Sequence, residues 1–422
     1  MKKGQYQLLI GVIILTSIIV SLGVVYYFSF KPKIETNQTT TTTISTSTIS
    51  TTSITSMTTS STTSTTIFTT TTQPITTTTT TTMKWNCDNN TKICEVYPPD
   101  GKNIQDAINF LSATGGKIFI KSGTYKILNH LSLIDNLTLS GEGTNTILQL
   151  EKGGIAILEA DPTKTNITIE SITLDGNKLG PSSGISGFFK NSIFSKLEIK
   201  NFADDGIFLI GSKSVNIKDC YFHDNALNGI EIKSENDPKS NNTNNEQIVV
   251  DDCHFENMGY FGVVIDVDYS MYPTKNNKDV TVTHSFFKNM KACVLATRSW
   301  DIFVDGNEID SCSEKGVYFY QLEEGRIVNN NITNSYYGIA LDTNITKTVV
   351  SQNAVKNSTL DNIAIDCTHC NITDNLSFGA RAYGIKEVGK SDFNFIINND
   401  LRGNAIPLLK IGANTITKDN LV

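Results

Sequence analysis

Acidic, basic and aromatic side chains recur at fixed places around a glycine that is repeated along the second half of the chain. Paired carboxyl groups supply the acid and base of glycoside hydrolysis, and a nearby cation stabilises developing negative charge. Aromatic rings beside such groups offer faces on which sugars stack. The candidate catalytic residues are Asp204, Asp205, Glu231, Asp266 and Arg298. The candidate substrate-binding residues are Lys233, Tyr260, Asp268, Tyr318 and Tyr320.

The repeated glycine belongs to a phrase that returns roughly every 22 residues over most of this region. Three of its copies read VNIKDCYFHDNALNGIEI, IVVDDCHFENMGYFGVVI and GRIVNNNITNSYYGIAL. A fixed period of this size indicates stacked units that bury their apolar faces against their neighbours. Alternation of apolar and polar residues within each copy makes the units strands, so the sequence predicts an all-β, single-stranded parallel β-helix. Residues two and four places after each glycine should then face outward.

Two consecutive repeats, 229–262 and 262–293, are each longer than the others by about ten positions. The extra residues follow the same strand, so we expect two adjacent loops, 234–247 and 268–279, that wall a groove. Carboxylates one coil apart should lie about 5 Å from each other, and those two coils apart about 10 Å. The first distance suits a retaining pair or a Ca²⁺ site, and the second slightly exceeds the range of an inverting pair. The alternative is a solvated sheet face whose charges serve solubility.

The opening of the domain, GKNIQDAINFLSATGGKIFIKSGTYKI, predicts a short helix with Ile104, Ala107, Ile108 and Leu111 on one face. Such a helix would cover the open apolar end of the stack. The segment resembles the opening motif of the pectate-lyase-like β-helix superfamily, specifically its rhamnogalacturonase/epimerase-like pectate lyase domain, and the resemblance extends over residues 98–420. It implies a right-handed β-helix. It leaves the reaction open, because the superfamily includes lyases, hydrolases, epimerases, phage-type spikes and adhesins without catalysis.

Two catalytic patterns of this superfamily provide a comparison. The polygalacturonase branch carries Asn-Thr-Asp, Asp-Asp, His-Gly and Arg-x-Lys on successive coils, whereas here only Asp204 or Asp205 and Arg298 match an acid and the arginine. The pectate lyase mechanism implies Ca²⁺ on carboxylates and a basic side chain that removes a proton. Asp205, Glu231 and Asp266 would be the Ca²⁺ ligands, with Arg298 or Lys233 as the base.

Residues 1–83 have a different character from the repeats. Residues 1–7 carry Lys2 and Lys3, and residues 8–30 form an apolar run that predicts a transmembrane anchor with its amino end in the cytoplasm. A rival interpretation is a pilin-like processing site followed by an assembly helix. Residues 31–83 are mostly Thr and Ser, which predicts a disordered stalk of the kind that often carries O-linked sugars. Anchor and stalk resemble archaeal cell-surface proteins in composition, so residues 84–422 are expected to be an extracellular domain.

The charge of this domain argues against nucleic acid as its partner. Residues 1–83 hold four of the 35 basic residues and one of the 42 acidic residues, which leaves 31 basic and 41 acidic residues and a net charge of −10. Asn-x-Ser/Thr motifs, which are candidate glycosylation sites in an exported chain, occur at Asn37, Asn89, Asn136, Asn166, Asn241, Asn331, Asn344, Asn357, Asn371 and Asn375.

Eight cysteines permit disulfides in such a chain. Cys87 and Cys94 bracket a short polar loop and are the best local pair. Cys220 and Cys253 occupy the same place in consecutive repeats, where a disulfide and a pair of stacked buried thiols are both open.

These observations lead to two hypotheses from different classes. The first is a membrane-anchored extracellular protein that cleaves a polysaccharide or glycan, as a lyase or a hydrolase, with Ca²⁺ as the candidate cofactor. The second is a surface adhesin or structural β-helix protein that binds glycans without cleaving them. Convergence of Asp205, Glu231 and Asp266 in one groove would favour the enzyme.

Overall fold

The computed structural model describes residues 85–234, 244–267 and 277–422, all of which lie in one compact unit, Thr79–Val422. The expected cytoplasmic segment 1–7, anchor 8–30 and stalk 31–83 lie outside the described residues. Within the part of the chain that is described, no helix is long and apolar enough to cross a membrane.

The described chain winds into a parallel β-solenoid, in which one turn, here called a coil, contributes strands to three sheets named A, B and C. Between the described strands all pairs are parallel except the antiparallel pair of β1 (Trp85–Asp88) and β2 (Ile93–Val96). Alternating apolar residues point into the solenoid, so every sheet buries one face. The predicted single-stranded β-helix is therefore confirmed.

Sheet A contains β1, β2 and the strands β3 (Gly116–Ile120), β6 (Leu137–Ser140), β9 (Thr168–Glu170), β14 (Lys213–Lys218), β17 (Glu246–Asp251), β20 (Lys278–Thr283), β22 (Trp300–Asp305), β24 (Arg326–Val328), β27 (Val349–Ser351), β30 (Asn371–Thr373), β33 (Phe395–Ile397) and β35 (Ile416–Lys418). Sheet B contains β4 (Gly123–Ile127), β7 (Thr146–Leu150), β10 (Thr173–Asp175), β12 (Glu198–Lys200), β15 (Tyr221–His223), β18 (His254–Glu256), β25 (Asn331–Thr333), β28 (Ala354–Lys356) and β31 (Leu376–Phe378).

Sheet C contains β5 (Leu131–Ser132), β8 (Leu158–Thr165), β13 (Ile207–Ile210), β16 (Ile230–Ser234), β19 (Phe261–Val267), β26 (Tyr337–Thr346), β29 (Ile363–Thr368), β32 (Tyr383–Glu387) and β34 (Ile406–Leu409). Three longer strands bend from one sheet into the next, namely β11 (Ile185–Ser195), β21 (Phe286–Thr297) and β23 (Glu308–Tyr320). The repeated glycine marks the start of sheet C in most coils, so the two long repeats place their extra residues after β16 and β19.

A column of buried asparagines lines the corner between sheets A and B at Asn307, Asn330, Asn353, Asn375 and Asn399. Each amide oxygen accepts the backbone N–H of the preceding coil, as in the 3.0 Å bond from Asn330 to Asn353. Each amide nitrogen donates to a strand carbonyl, as Asn353 does to Ile327. This ladder satisfies the turn backbone. Earlier coils carry Cys220 and Cys253 in the same column, where both are buried free thiols.

A single helix in the described chain, α1 (Lys102–Phe110), covers the amino-terminal end of the solenoid. The inner face of the helix is fully buried at Ile104, Ala107 and Ile108, and Leu111 at its end is buried as well. The expected capping helix is therefore confirmed. The chain leaves the helix through Gly115, whose φ of 69° lies in the left-handed region that favours glycine.

Two disulfides are present among the described residues. Cys87–Cys94 joins β1 to β2 and confirms the pair expected from the sequence. The second disulfide, Cys293–Cys312, was not expected from the sequence. Cys293 occupies the place of the repeated glycine at the start of sheet C, and both cysteines of this disulfide are buried in the solenoid.

The asparagines of most candidate glycosylation motifs are exposed in the folded chain, namely Asn89, Asn136, Asn166, Asn331, Asn344, Asn357 and Asn371. Asn375 differs from this expectation, because it is 1% exposed and its amide belongs to the asparagine ladder. The folded domain therefore does not present Asn375 to a glycosyltransferase. Asn37 and Asn241 lie outside the described residues.

Candidate active site on sheet C

The outward face of sheet C carries most of the candidate residues in two columns. Glu231 pairs in register with Val264, and the column continues through Leu295 to Tyr318. Lys233 pairs with Asp266 in the second column. The intervening residues Ile207, Leu209, Ile230 and Ile232 are fully buried. Outward placement two and four residues after the glycine is therefore confirmed for these coils.

Asp205 and Glu231 form a pair of carboxyl groups in direct hydrogen-bond contact. Asp205 lies in the turn before β13 and is 3% exposed, whereas Glu231 lies on β16 of the next coil. The backbone N–H and side-chain amide of Asn228 donate to Asp205 Oδ1 at 3.2 and 2.8 Å. Two carboxyl groups in such contact share a proton, because two negative charges at this separation repel each other.

The pKa values of both carboxyl groups are raised. For Asp205 the largest cause is burial, followed by the charges of Glu231 and of Asp204 in the same turn. For Glu231 burial also raises the pKa, while Lys233, whose Nζ lies 3.7 Å from Glu231 Oε1, and the hydrogen bond with Asp205 both oppose the shift. The same hydrogen bond raises the pKa of Asp205, so the shared proton lies mainly on Asp205. The pair therefore keeps a proton at a higher pH than an ordinary carboxyl group does, which is the property that a general acid needs.

Asp266 has a different environment from this pair. Its Oδ1 accepts hydrogen bonds from the Val267 N–H at 2.8 Å, from the Thr297 hydroxyl and from Arg298 Nη2 at 2.7 Å. Arg298 is held in place because its Nε donates to the Val267 carbonyl at 2.9 Å. Asp266 is thus the anionic carboxylate of the site, one coil beyond Glu231 and two residues further along the strand. Strand geometry puts the two Cα atoms about 8 Å apart.

The described donor set does not fit Ca²⁺. Asp205 and Glu231 are directed at each other, and Asp266 is engaged by a guanidinium group. No group of three or more His, Cys, Asp or Glu residues among the described positions is arranged to hold a metal ion.

The aromatic candidates lie at two separate places on the groove. Tyr260 is 43% exposed in the turn before β19, one coil beyond Glu231, and Lys291 Nζ lies 3.5 Å from its ring centroid. Tyr318 and Tyr320 lie three coils beyond Glu231, about 14 Å away by strand spacing, with their ring centroids 6.4 Å apart. Asp268 and most of both wall loops, 235–243 and 268–276, lie outside the described residues.

Comparison with known proteins places the chain in a protein family. A family model described as "Rhamnogalacturonase A/epimerase, pectate lyase-like" matches residues 99–318. The chain belongs to this family. A second model, for a right-handed β-helix region, matches residues 270–421 and agrees with the handedness implied by the resemblance. No curated protein sequence matches this pectate lyase-like chain.

Solved structures similar to this pectate lyase-like chain include two mannuronan C-5 epimerase A-modules from Azotobacter vinelandii. The AlgE6 A-module has a TM-score of 0.66 at 16% identity, over 76% of this chain and 94% of the module. The AlgE4 A-module has a TM-score of 0.56 at 17% identity, over 76% and 96%. PfbA, a surface adhesin of Streptococcus pneumoniae, has a TM-score of 0.56 at 16% identity, over 76% and 89%. At these identities the similarity establishes the fold, which enzymes and an adhesin share.

Several residues that contact the candidate catalytic groups were not assigned a role from the sequence. Asn228 orients Asp205, and Thr297 orients Asp266. Both occupy positions of the repeat that neighbour a candidate acid, which is the signal that could have identified them. Further along the groove, the Tyr318 hydroxyl donates to Asp342 at 3.1 Å, and Lys315 Nζ lies 3.6 Å from the Tyr318 ring centroid.

Proposed function

We propose that this chain is an extracellular, membrane-anchored glycoside hydrolase that cleaves a polysaccharide in the groove on sheet C. The observation that supports it most is the proton-sharing pair of Asp205 and Glu231 beside the anionic Asp266. Glycoside hydrolysis needs one protonated and one ionised carboxyl group, and burial raises the pKa values of Asp205 and Glu231, which favours the protonated state in that pair. Membership in the pectate lyase-like family supports a glycan as the partner.

In this mechanism Glu231, the more exposed member of the pair, donates its proton to the glycosidic oxygen as the bond to the leaving sugar breaks. In the resting pair the proton lies mainly on Asp205 and moves to Glu231 for transfer. Asp205 is then stabilised as a carboxylate by its hydrogen bonds from Asn228. Asp266 accepts a proton from a water molecule that attacks the sugar from the other side. Because Asp266 acts through a water molecule and not as a nucleophile, this mechanism predicts inversion at the anomeric carbon.

The contacts of the two cationic side chains, Arg298 and Lys233, favour hydrolysis over elimination. A lyase needs a basic side chain that removes a proton next to a uronate, but Arg298 is ion-paired with Asp266 and Lys233 faces Glu231. Each cation therefore already faces a carboxyl group of the site. The apolar run 8–30 and the Thr/Ser-rich segment 31–83, expected from the sequence to be an anchor and a stalk, support an extracellular location, in which the groove would meet polysaccharides of the cell surface or surroundings.

The test is incubation of the purified protein with a panel of neutral and uronate polysaccharides, with and without Ca²⁺. We expect new reducing ends without unsaturated products, and proton NMR should detect the inverted anomer first. Glu231→Gln should lower the rate at least about 100-fold, whereas the matched exchange Glu308→Gln at an exposed position of sheet B should leave it unchanged. Unsaturated products would instead identify a lyase, and binding without turnover would identify an adhesin.

A further inference from the structure

Two buried cysteines lie next to each other at the corner between sheets A and B. Cys220 follows β14 and Cys253 follows β17 in the next coil, and each is 2% exposed. The strands on both sides of this corner, β14 with β17 and β15 with β18, are paired without any shift of register between them. The two cysteines therefore occupy equivalent positions, with their Cα atoms about 4.8 Å apart by strand spacing.

The side chains of the two cysteines point in the same direction and contact each other. Cys220 Sγ donates to the Lys218 carbonyl at 3.2 Å, and Cys253 Sγ donates to the equivalent Asp251 carbonyl at 3.3 Å. The two thiol groups are also within hydrogen-bond contact of each other. A Cα separation of about 4.4–6.8 Å permits a disulfide without movement of the backbone, so this pair meets the geometric requirement.

Other coils use the same corner position to connect neighbouring coils. The Asn353 amide oxygen accepts the Asn330 N–H, and in the coil after Cys253 the Ser285 hydroxyl accepts the Cys253 N–H at 3.1 Å. A thiol is a weaker donor and acceptor than an amide, so a reduced Cys220 makes a weaker connection than asparagine does. A covalent bond between the two sulfurs would supply a strong connection at the position where the fold uses one.

We propose that Cys220 and Cys253 form a disulfide that joins the coil of Glu231 to the coil of Asp266. The coil of Cys220 continues through β15 into β16, which carries Glu231, and the coil of Cys253 continues through β18 into β19, which carries Asp266. The bond would hold these two coils in register. The inference does not depend on the proposed function, because it rests on the register and the contact of the two cysteines.

Formation of the bond is a two-electron oxidation, for which a small-molecule disulfide such as oxidised glutathione is the oxidant. One cysteine thiolate attacks a sulfur of the glutathione disulfide, forms a mixed disulfide and releases one glutathione thiolate. The second cysteine thiolate then attacks the cysteine sulfur of that mixed disulfide, which closes the Cys220–Cys253 bond and releases the second glutathione thiolate. The two protons lost by the cysteines are taken up by the two glutathione thiolates.

Burial determines when this reaction takes place. Burial raises the pKa of the Cys253 thiol well above its usual value, so the folded chain contains little of the thiolate that reacts. Both side chains are also out of reach of a glutathione molecule in the folded solenoid. We therefore expect the bond to form while the chain folds, and a chain that has folded in the reduced state should resist oxidation.

The experiment maps disulfides in the full chain refolded at a series of ratios of reduced to oxidised glutathione. Remaining thiols are alkylated in denaturant before digestion, and linked peptides are identified by mass spectrometry. Where Cys87–Cys94 and Cys293–Cys312 are complete, we expect a Cys220–Cys253 link in most molecules. Alkylation of both cysteines at every ratio would overturn the proposal, and so would a bond from either one to glutathione or to another cysteine.

Cys253→Ser is the variant that removes the bond, and it should retain the fold because Ser285 occupies the same column in the next coil. After oxidative refolding, the melting temperature of the wild type should exceed that of this variant by at least about 3 °C. The difference should disappear when both proteins are refolded with excess reductant. Equal melting temperatures after oxidative refolding would contradict a bond that holds the two coils together.

Cys367→Ser is the matched control, because Cys367 is also a buried free cysteine in contact with a second one, Cys370. These two residues belong to one coil, so a bond between them would join no neighbouring coil. The control should keep the Cys220–Cys253 link and the rise in melting temperature that accompanies it. Neither readout uses cleavage of a glycan, so failure of this proposal and failure of the proposed hydrolase are separate results.

Discussion

The Asp205–Glu231 pair shows how much of the site depends on one residue in a turn. Asp205 lies before the strand, where the direction of a side chain follows from the turn and not from strand alternation. The columns of the repeat were sufficient to select Asp205, Glu231 and Asp266 as candidates. The direct contact between the first two could not be predicted, because it requires the Asn228 amide to turn Asp205 toward the next coil.

Asp205→Asn should change the pH dependence of stability in a defined direction. The folded pKa of Asp205 is raised by burial and by Glu231, so its contribution to stability is fully present below the ordinary aspartate value of 3.8. That contribution is lost as the pH rises from there through the raised folded pKa, at a rate of about 1.4 kcal/mol per pH unit. The asparagine does not ionise, so the variant should gain stability relative to wild type as the pH increases from acidic to neutral.

The measurement is the free energy of unfolding in urea at a series of pH values for both proteins. Asp219→Asn, at an exposed position in a corner of the solenoid, is the matched control and should give a difference that does not vary with pH. A constant difference between wild type and Asp205→Asn would show that the aspartate has no unusual proton affinity. The same outcome would remove the physical basis for Glu231 as a general acid.

At the scale of the coil, most of the architecture was predictable. The spacing of the glycine located the strands of sheet C and the two long repeats, and the amphipathic segment with Ile104 and Leu111 predicted the capping helix. The Cys293–Cys312 disulfide was not predictable, because the two residues belong to different strand positions of neighbouring coils and their approach depends on the corner between sheets B and C. Pairings of this kind need the three-dimensional path of the turn.

Asn353→Ala should destabilise the solenoid by about 2–3 kcal/mol, because two buried backbone groups lose their partners. The amide of Asn353 donates to the Ile327 carbonyl and accepts the backbone N–H of Asn330. The control Asn414→Ala removes an exposed amide that donates to Asp392 Oδ2 and should cost less than about 0.5 kcal/mol. Urea unfolding monitored by circular dichroism gives both values, and equal costs would mean that the ladder adds nothing beyond surface hydrogen bonds.

At the scale of the whole molecule, the sequence suggests an anchor and a stalk that precede the described domain. If residues 8–30 span the membrane, the full chain should sediment with membranes and resist extraction by high salt and by carbonate. A chain that begins at Lys84 lacks the apolar run 8–30 and should remain in the supernatant if that run is the anchor. Protease added to intact cells should remove the domain from the full chain. Protection from that protease would contradict the extracellular placement.

The in-register stacking of coils also has a consequence for how such a protein changes over generations. Every coil adds one strand to each sheet at a fixed spacing of about 4.8 Å. Duplication or loss of one whole coil between Glu231 and Tyr318 would therefore lengthen or shorten the groove by one such step and leave the side chains at both ends untouched. The length of the groove could then evolve independently of the Asp205–Glu231 pair at its end.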